Sequence, residues 1–171
     1  MVLGKTVMNG MTYKLMEYFY KKYIRERKHL SVCDVGSYDV NGTFKPIFRK
    51  HKYIGLDIIE GPNVDIVSSD EYKYPFLDET FNVVISGSTI EHVKNIFKWI
   101  IELKRITKRR GTLCIIGPSR FQQHNYPVDC WRIYPDGMKF LLEEIAGLNV
   151  LEIKKGKSNR GIMCMGVARR K

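Results

Sequence analysis

The chain contains no stretch approaching the about 18 consecutive apolar residues that a membrane helix needs, so it has no span to offer a bilayer. Its four cysteines, Cys33, Cys114, Cys130 and Cys164, make no C-x-x-C pair, and three of them sit inside apolar runs. A disulfide frame is therefore not expected, and the thiols read as reduced and mostly buried. Residues 1–6 lack the apolar run of a secretory leader, which makes the cytoplasm the expected compartment. Internal repeats and low-complexity tracts are missing too, and 171 residues suffice for one domain with a full core. Acidic residues are scarce outside one segment: seven of the 18 lie from Asp57 to Glu79, where Lys73 is the single base. The remainder is basic, with Lys and Arg gathered at 21–28, 104–110 and 154–171 and a net charge of +11. That excess suits an anionic partner such as nucleic acid or an acidic glycan, although lysines on solvated helix faces produce the same sum.

What is present is organised around residues 31–42. Val32, Cys33 and Val35 read as a buried strand, which Asp34, Gly36, Asn41 and Gly42 bring into a tight turn. A first strand that ends in Gly ahead of a helix is how open α/β sheets make a nucleotide crevice at the carboxyl ends of their strands. A dinucleotide would need three glycines at G-x-G-x-x-G, and only Gly36 and Gly42 are available. Asp34 at the strand end would repel a phosphate but attract an ammonium or sulfonium group. The ligand that fits is S-adenosyl-L-methionine, a nucleoside with a cationic tail and no phosphate. Asp57, which ends a second short strand 23 residues after Asp34, stands close to the offset at which an acid takes ribose hydroxyls. Helix caps or turns are the bland alternative for both acids.

In chain order, apolar side chains at Met11, Leu15, Met16, Phe19, Tyr20 and Tyr23 predict an amphipathic helix over 11–28, with residues 1–10 loose or folded over the ligand as a lid. Residues 1–30 form this lid and helix, and 31–171 form the catalytic domain. Strands are predicted at 31–36, 52–57, 65–68, 82–86, 112–116, 149–154 and 161–169. Helices are predicted at about 43–50, from 88 through Leu103, and at about 137–146. Gly156, Ser158 and Asn159 predict the turn of an antiparallel hairpin between the last two strands. A long loop, 117–136, carries Phe121, His124, Tyr126, Asp129, Trp131, Arg132 and Tyr134.

These features resemble the class I S-adenosylmethionine-dependent methyltransferases over nearly the whole chain. The resemblance rests on Asp34-Val-Gly-Ser-Tyr-Asp-Val-Asn-Gly42, Gly55-Leu-Asp57, Pro75-Phe-Leu-Asp-Glu-Thr-Phe81, Ile90-Glu-His-Val93 and the basic turn 108–111. The loop pattern His-x-Tyr-Pro-x-Asp-x-Trp-Arg, here His124, Tyr126, Pro127, Asp129, Trp131 and Arg132, is similar to that of a small subgroup associated with modification of surface carbohydrates. Two departures stand out: Tyr38 replaces the second glycine of the usual acid-x-Gly-x-Gly-x-Gly, and Arg109-Arg110-Gly111 replaces the common Pro-Gly-Gly. The resemblance implies a Rossmann-like α/β fold: a seven-stranded mixed sheet, order 3-2-1-4-5-7-6 with strand 7 antiparallel, and helices on both faces. It also implies that Asp34, Gly36 and Ser37 hold the methionine end of the cofactor, Asp57 the ribose and Asp70 the adenine. Tyr38, Ile58, Glu71, Ser86 and Gly87 complete the cofactor-binding set.

Methyl transfer is an in-line displacement at a sulfonium carbon, so alignment of the acceptor lowers much of the barrier, and a hydroxyl acceptor must also lose its proton. His92 or His124 is the expected base, assisted by Asp129, with Tyr126, Trp131 and Arg132 walling the acceptor pocket. The acceptor expected is a sugar hydroxyl of a glycan or sugar nucleotide, because the late-loop aromatics suit stacking on a pyranose. An RNA or other nucleic-acid methyltransferase is the alternative favoured by charge. Against it, Ser86-Gly87-Ser88-Thr89 lacks the Asn/Asp-Pro-Pro-aromatic signature. A non-catalytic cofactor-binding partner is the third reading. Glu91, His92 and His124 are chemically able to ligate a divalent ion, but their spacing is not a tight ligand spacing and no metal is expected.

Overall fold

The computed structural model describes residues 10–40 and 42–171. The expected lid lies outside the described residues except for Gly10, as does Asn41 of the first turn. The strands are β1 (Ser31–Val35), β2 (Lys52–Asp57), β3 (Ile66–Val67), β4 (Phe81–Gly87), β5 (Thr107–Arg120), β6 (Asn149–Ser158) and β7 (Gly161–Arg169). They form one sheet in the order β3-β2-β1-β4-β5-β7-β6. The first five strands run parallel, and β7 pairs antiparallel with both β5 and β6. This is the Rossmann-like mixed sheet expected from the sequence.

The central strands are apolar on both faces because each face is covered. Cys33, Val35, Val84, Leu113, Ile115 and Cys164 point to one side, where they meet α2 (Ile96–Ile106) and α3 (Pro135–Phe140). Val32, Val83, Ile85, Cys114, Ile116 and Met165 point to the other, under α1 (Gly10–Phe19) and the segment holding Phe44 and Phe48. Successive residues thus alternate between two cores, as the two-residue period of a strand requires. Cys33, Cys114 and Cys164 are buried free thiols, and Cys130 is an exposed one.

Four local expectations are corrected. The first helix ends at Phe19 and continues as a wider turn, Tyr20–Ile24, in which Arg25 N–H donates to the Tyr20 carbonyl at 2.9 Å. No helix forms over 43–50; two separate turns stand there, closed by Ile47 N–H to Phe44 O at 2.9 Å and His51 N–H to Phe48 O at 2.8 Å. Pro46 explains this, since it lacks an N–H and pushes Lys45 away from helical dihedrals. The helix after β4 begins at Ile96 because the Asn95 side chain caps it, accepting from Lys98 N–H at 3.0 Å. Gly156 lies within β6 rather than in the hairpin turn: a Cβ there would sit 2.4 Å from Met11 Sδ, so this glycine lets α1 approach the sheet.

Trp99 is 2 % exposed at the centre of the α2 core, while Phe97 on the same helix is 46 % exposed. Trp99→Ala is expected to cost about 3–5 kcal/mol of unfolding free energy in urea titration. Phe97→Ala should stay within about 0.5 kcal/mol. Equal losses for the two would refute this packing of α2.

Candidate active site

The turns after β1 and β4 meet at the point where the strand order reverses, the usual place for a ligand crevice in an open α/β sheet. Gly36 has φ +79°, and a Cβ on it would fall 2.1 Å from Thr89 Oγ1, so only glycine fits. Gly36 and Ser37 N–H groups both donate to the Leu56 carbonyl, at 2.9 and 3.1 Å. Ser37 Oγ donates to Asn63 O at 3.2 Å, and Asn63 Nδ2 donates back to Ser37 O at 3.0 Å. The tyrosine at the usual glycine position is accommodated by another glycine: a Cβ on Gly61 would lie 2.0 Å from the Tyr38 ring.

Both strand-end acids reach this turn. Asp57 accepts from Tyr38 N–H at 3.0 Å through Oδ2, and from Ile58 N–H at 2.7 Å and Ile59 N–H at 3.3 Å through Oδ1. A carboxylate has about four lone-pair directions, so with three taken there is room for a further hydroxyl donor. Asp34 is 3 % exposed; its Oδ2 accepts from the Tyr53 hydroxyl, while its Oδ1 has no hydrogen-bond partner among the described residues. Burial pushes the Asp34 carboxyl up to about 7, with the Tyr53 hydrogen bond opposing and the Asp57 charge adding to the rise. Tyr53, pushed up by burial and by the Asp34 charge, was not legible as a site residue. Its place follows from the parallel register that pairs Gly55 with Asp34.

The rest of the expected cofactor set lies along the same edge. Asp70 is exposed after β3 and accepts from Tyr72 N–H at 2.7 Å, with Glu71 beside it. Ile58, next to Asp57 at the end of β2, is 46 % exposed. Ser86 is buried and donates its hydroxyl to Val35 O at 2.7 Å, which ties β4 to β1. Gly87 lies under Phe44 and Thr12, and Thr12 Oγ1 is 3.2 Å from Ser88 Oγ, so the start of α1 borders the cleft.

The late loop and the segment after β4 bring two imidazoles together. His92 ends the short turn Ile90–His92, and its ring lies 5.1 Å, edge to face, from that of His124. Nδ1 of His92 lies 2.5 Å from Val128 O, and Nδ1 of His124 is 3.2 Å from Gln122 O and 3.5 Å from Asp129 Oδ2. Desolvation lowers the proton affinity of His92. The Asp129 side chain is fully buried and bound by both Arg132 Nη atoms, at 2.5 and 2.6 Å, and it accepts from His124 N–H at 2.7 Å. Arg132 holds its carboxyl well below the usual carboxylate range. Arg132 also donates to the carbonyls of Phe121, Gln122 and Trp131, so its nitrogens are occupied within the loop. Trp131 packs against the α2 core and donates its indole N–H to Val93 O at 2.7 Å. Tyr126 is 53 % exposed, 6.5 Å from the His92 ring. Glu91, named from the sequence as a group able to ligate a divalent ion with His92 and His124, is 1 % exposed, and its Oε2 has no hydrogen-bond partner among the described residues.

The family model described as "Methyltransferase domain" matches residues 25–115, just over half of the sequence. The chain belongs to that family, in its S-adenosylmethionine-dependent class. A curated relative of this methyltransferase domain is the rice 2-methyl-6-phytyl-1,4-hydroquinone methyltransferase 1, chloroplastic, 27 % identical over 95 residues. That match covers 54 % of this chain, and the chain spans only 29 % of the rice protein's length. Among solved structures, an S-adenosylmethionine-dependent methyltransferase from Aquifex aeolicus aligns over 96 % of this chain and all of its own, at TM-score 0.65 and 19 % identity. The Burkholderia thailandensis 1,6-didemethyltoxoflavin-N1-methyltransferase, solved with its acceptor and S-adenosylhomocysteine, aligns over 95 % of this chain and 80 % of its own, at TM-score 0.75 and 11 % identity.

The residues fit the cofactor. The orphaned Oδ1 of Asp34 lacks a donor of the kind an α-ammonium group supplies, and Asp57 has spare acceptor capacity. In the free protein Asp34 is protonated below about pH 7, and binding an ammonium must expel that proton. Affinity for S-adenosylhomocysteine is therefore expected to fall with decreasing pH below that point, approaching about tenfold per unit. Calorimetry across the range checks this. Asp34→Asn should flatten the profile, and a flat profile in the unaltered protein would contradict the assignment.

Proposed function

We propose that this chain methylates a hydroxyl of a sugar, in a glycan or a sugar nucleotide. The observation that carries the reading is the pair of imidazoles, each with Nδ1 beside a backbone carbonyl, next to exposed Tyr126. A carbonyl accepting from Nδ1–H leaves Nε2 unprotonated, the state a general base needs. For His92, burial adds to this by disfavouring the imidazolium form. Bound S-adenosylmethionine supplies an electrophilic methyl group. The chain's part is to align the acceptor oxygen behind that methyl and take its proton. Asp129, already committed to Arg132, acts as a positioning residue that fixes the His124 main chain. Tyr126 and Phe121, which lies 5.3 Å from the His124 ring, offer apolar faces for a pyranose. The net charge of +11 favours an acceptor carrying phosphate.

A phenolic acceptor is the second reading, favoured by similarity to a relative named as a hydroquinone methyltransferase. A screen of labelled methyl transfer onto sugar nucleotides, glycans, phenols and RNA separates the candidates. Label on RNA alone would replace the sugar reading with a nucleic-acid one, and cofactor binding without any transfer would favour a non-catalytic partner. With the acceptor in hand, His92→Ala and His124→Ala are each expected to bind S-adenosylhomocysteine as before. At least one of them should lose about 10²–10⁴-fold in turnover. Near-normal rates in both would dismiss the imidazole base.

A further inference from the structure

Glu91, His92 and His124 come from two separate segments, yet one ligand-capable atom from each lies within 4.8 Å of those of the other two. Glu91 is nine-tenths or more buried, and its Oε2 finds no hydrogen-bond donor among the described residues. A buried carboxylate left in that state is costly unless it takes up a proton or meets a cation. The backbone around it is held firmly, with the Glu91 carbonyl accepting from Cys130 N–H at 2.7 Å and His92 N–H donating to Thr89 O at 2.8 Å.

We infer that these three side chains bind a divalent first-row transition ion. Two imidazoles and one carboxylate suit zinc, iron, cobalt or nickel, whereas magnesium and calcium call for oxygen ligands. Three protein ligands also leave coordination positions open, as metal sites that act on a substrate do. The outer contacts agree. His92 presents Nδ1 to the Val128 carbonyl, and His124 presents Nδ1 to the Gln122 carbonyl and to Asp129, itself clamped by Arg132. Metal-bound histidines rest their second nitrogen on such carbonyls and carboxylates, which set the tautomer and aim Nε2. The Asp129–Arg132 pair, with no nitrogen left for a ligand, then has a reason to lie beside His124. An ion here would hold an acceptor oxygen and acidify its hydroxyl, displacing the imidazoles from the role of base. That role rests on the methyl-transfer reading; the site does not.

The test uses the full chain, stripped with a chelator and free of methyl donor. It is titrated with Co²⁺, followed by visible absorption, and with Zn²⁺ by calorimetry. One equivalent is expected to bind. His92→Gln, His124→Gln and Glu91→Gln should each weaken binding by more than about tenfold, while Cys130→Ser leaves it unchanged. Absence of saturable binding, equal binding in all three variants, or loss only in Cys130→Ser would overturn the site. S-adenosylhomocysteine binding, measured in parallel, should persist in all four variants. If the unaltered protein fails to bind it, the methyltransferase reading falls and the metal result stands on its own.

Discussion

The close approach of the turns after β1 and β4 is the constraint on which the rest of the architecture depends. Gly36 rests against Thr89, the Ser86 hydroxyl is spent on Val35 O, and the two strands pair in parallel through Val32, Cys33 and Asp34. With strand order reversing there, neither strand end is covered by a crossover, and a crevice opens between them. Asp34 is carried to its floor by β1, Asp57 to its rim by β2, and Glu91 and His92 to its far side by the segment leaving β4. The acid-tipped crevice and the placement of Glu91 and His92 beside it are thus two consequences of one packing contact.

Charge is distributed unevenly across that crevice. Asp34 is buried with one unmatched oxygen, a cost the protein bears in a region otherwise made of apolar strand. Glu91 shows the same pattern on the opposite side. Asp129, by contrast, is fully matched by Arg132 and a backbone amide. An unmatched buried carboxylate marks a place where a ligand completes the structure, and a matched one marks a place where the structure completes itself. By that criterion Asp34 and Glu91 are the candidates for a partner from outside the chain, whereas Asp129, Arg132 and Trp131 serve the loop that carries His124 and Tyr126.

Much of the fold was legible in the residue pattern. Period-two and continuous apolar runs located all seven strands, and Gly36 located the turn that leaves the first of them, because these signals are local and each strand is buried by its own residues. Where the reading failed, a local signal met a competing one. Pro46 dissolved the helix expected at about 43–50, Asn95 delayed another by capping it, and Gly156 proved to be a gap for Met11 rather than a turn.

From the sequence alone came the order of the strands through its family resemblance, the acid-tipped crevice, and the aromatic loop with its two histidines as candidates. Only the folded chain decided which of these polar groups have partners. Tyr53 meets Asp34 because parallel register sets Gly55 opposite it, and His124 meets His92 and Glu91 because the loop after β5 folds back over the segment leaving β4. Such encounters join residues far apart in the chain, and no local pattern of hydrophobicity or spacing encodes which distant side chains will share a buried space.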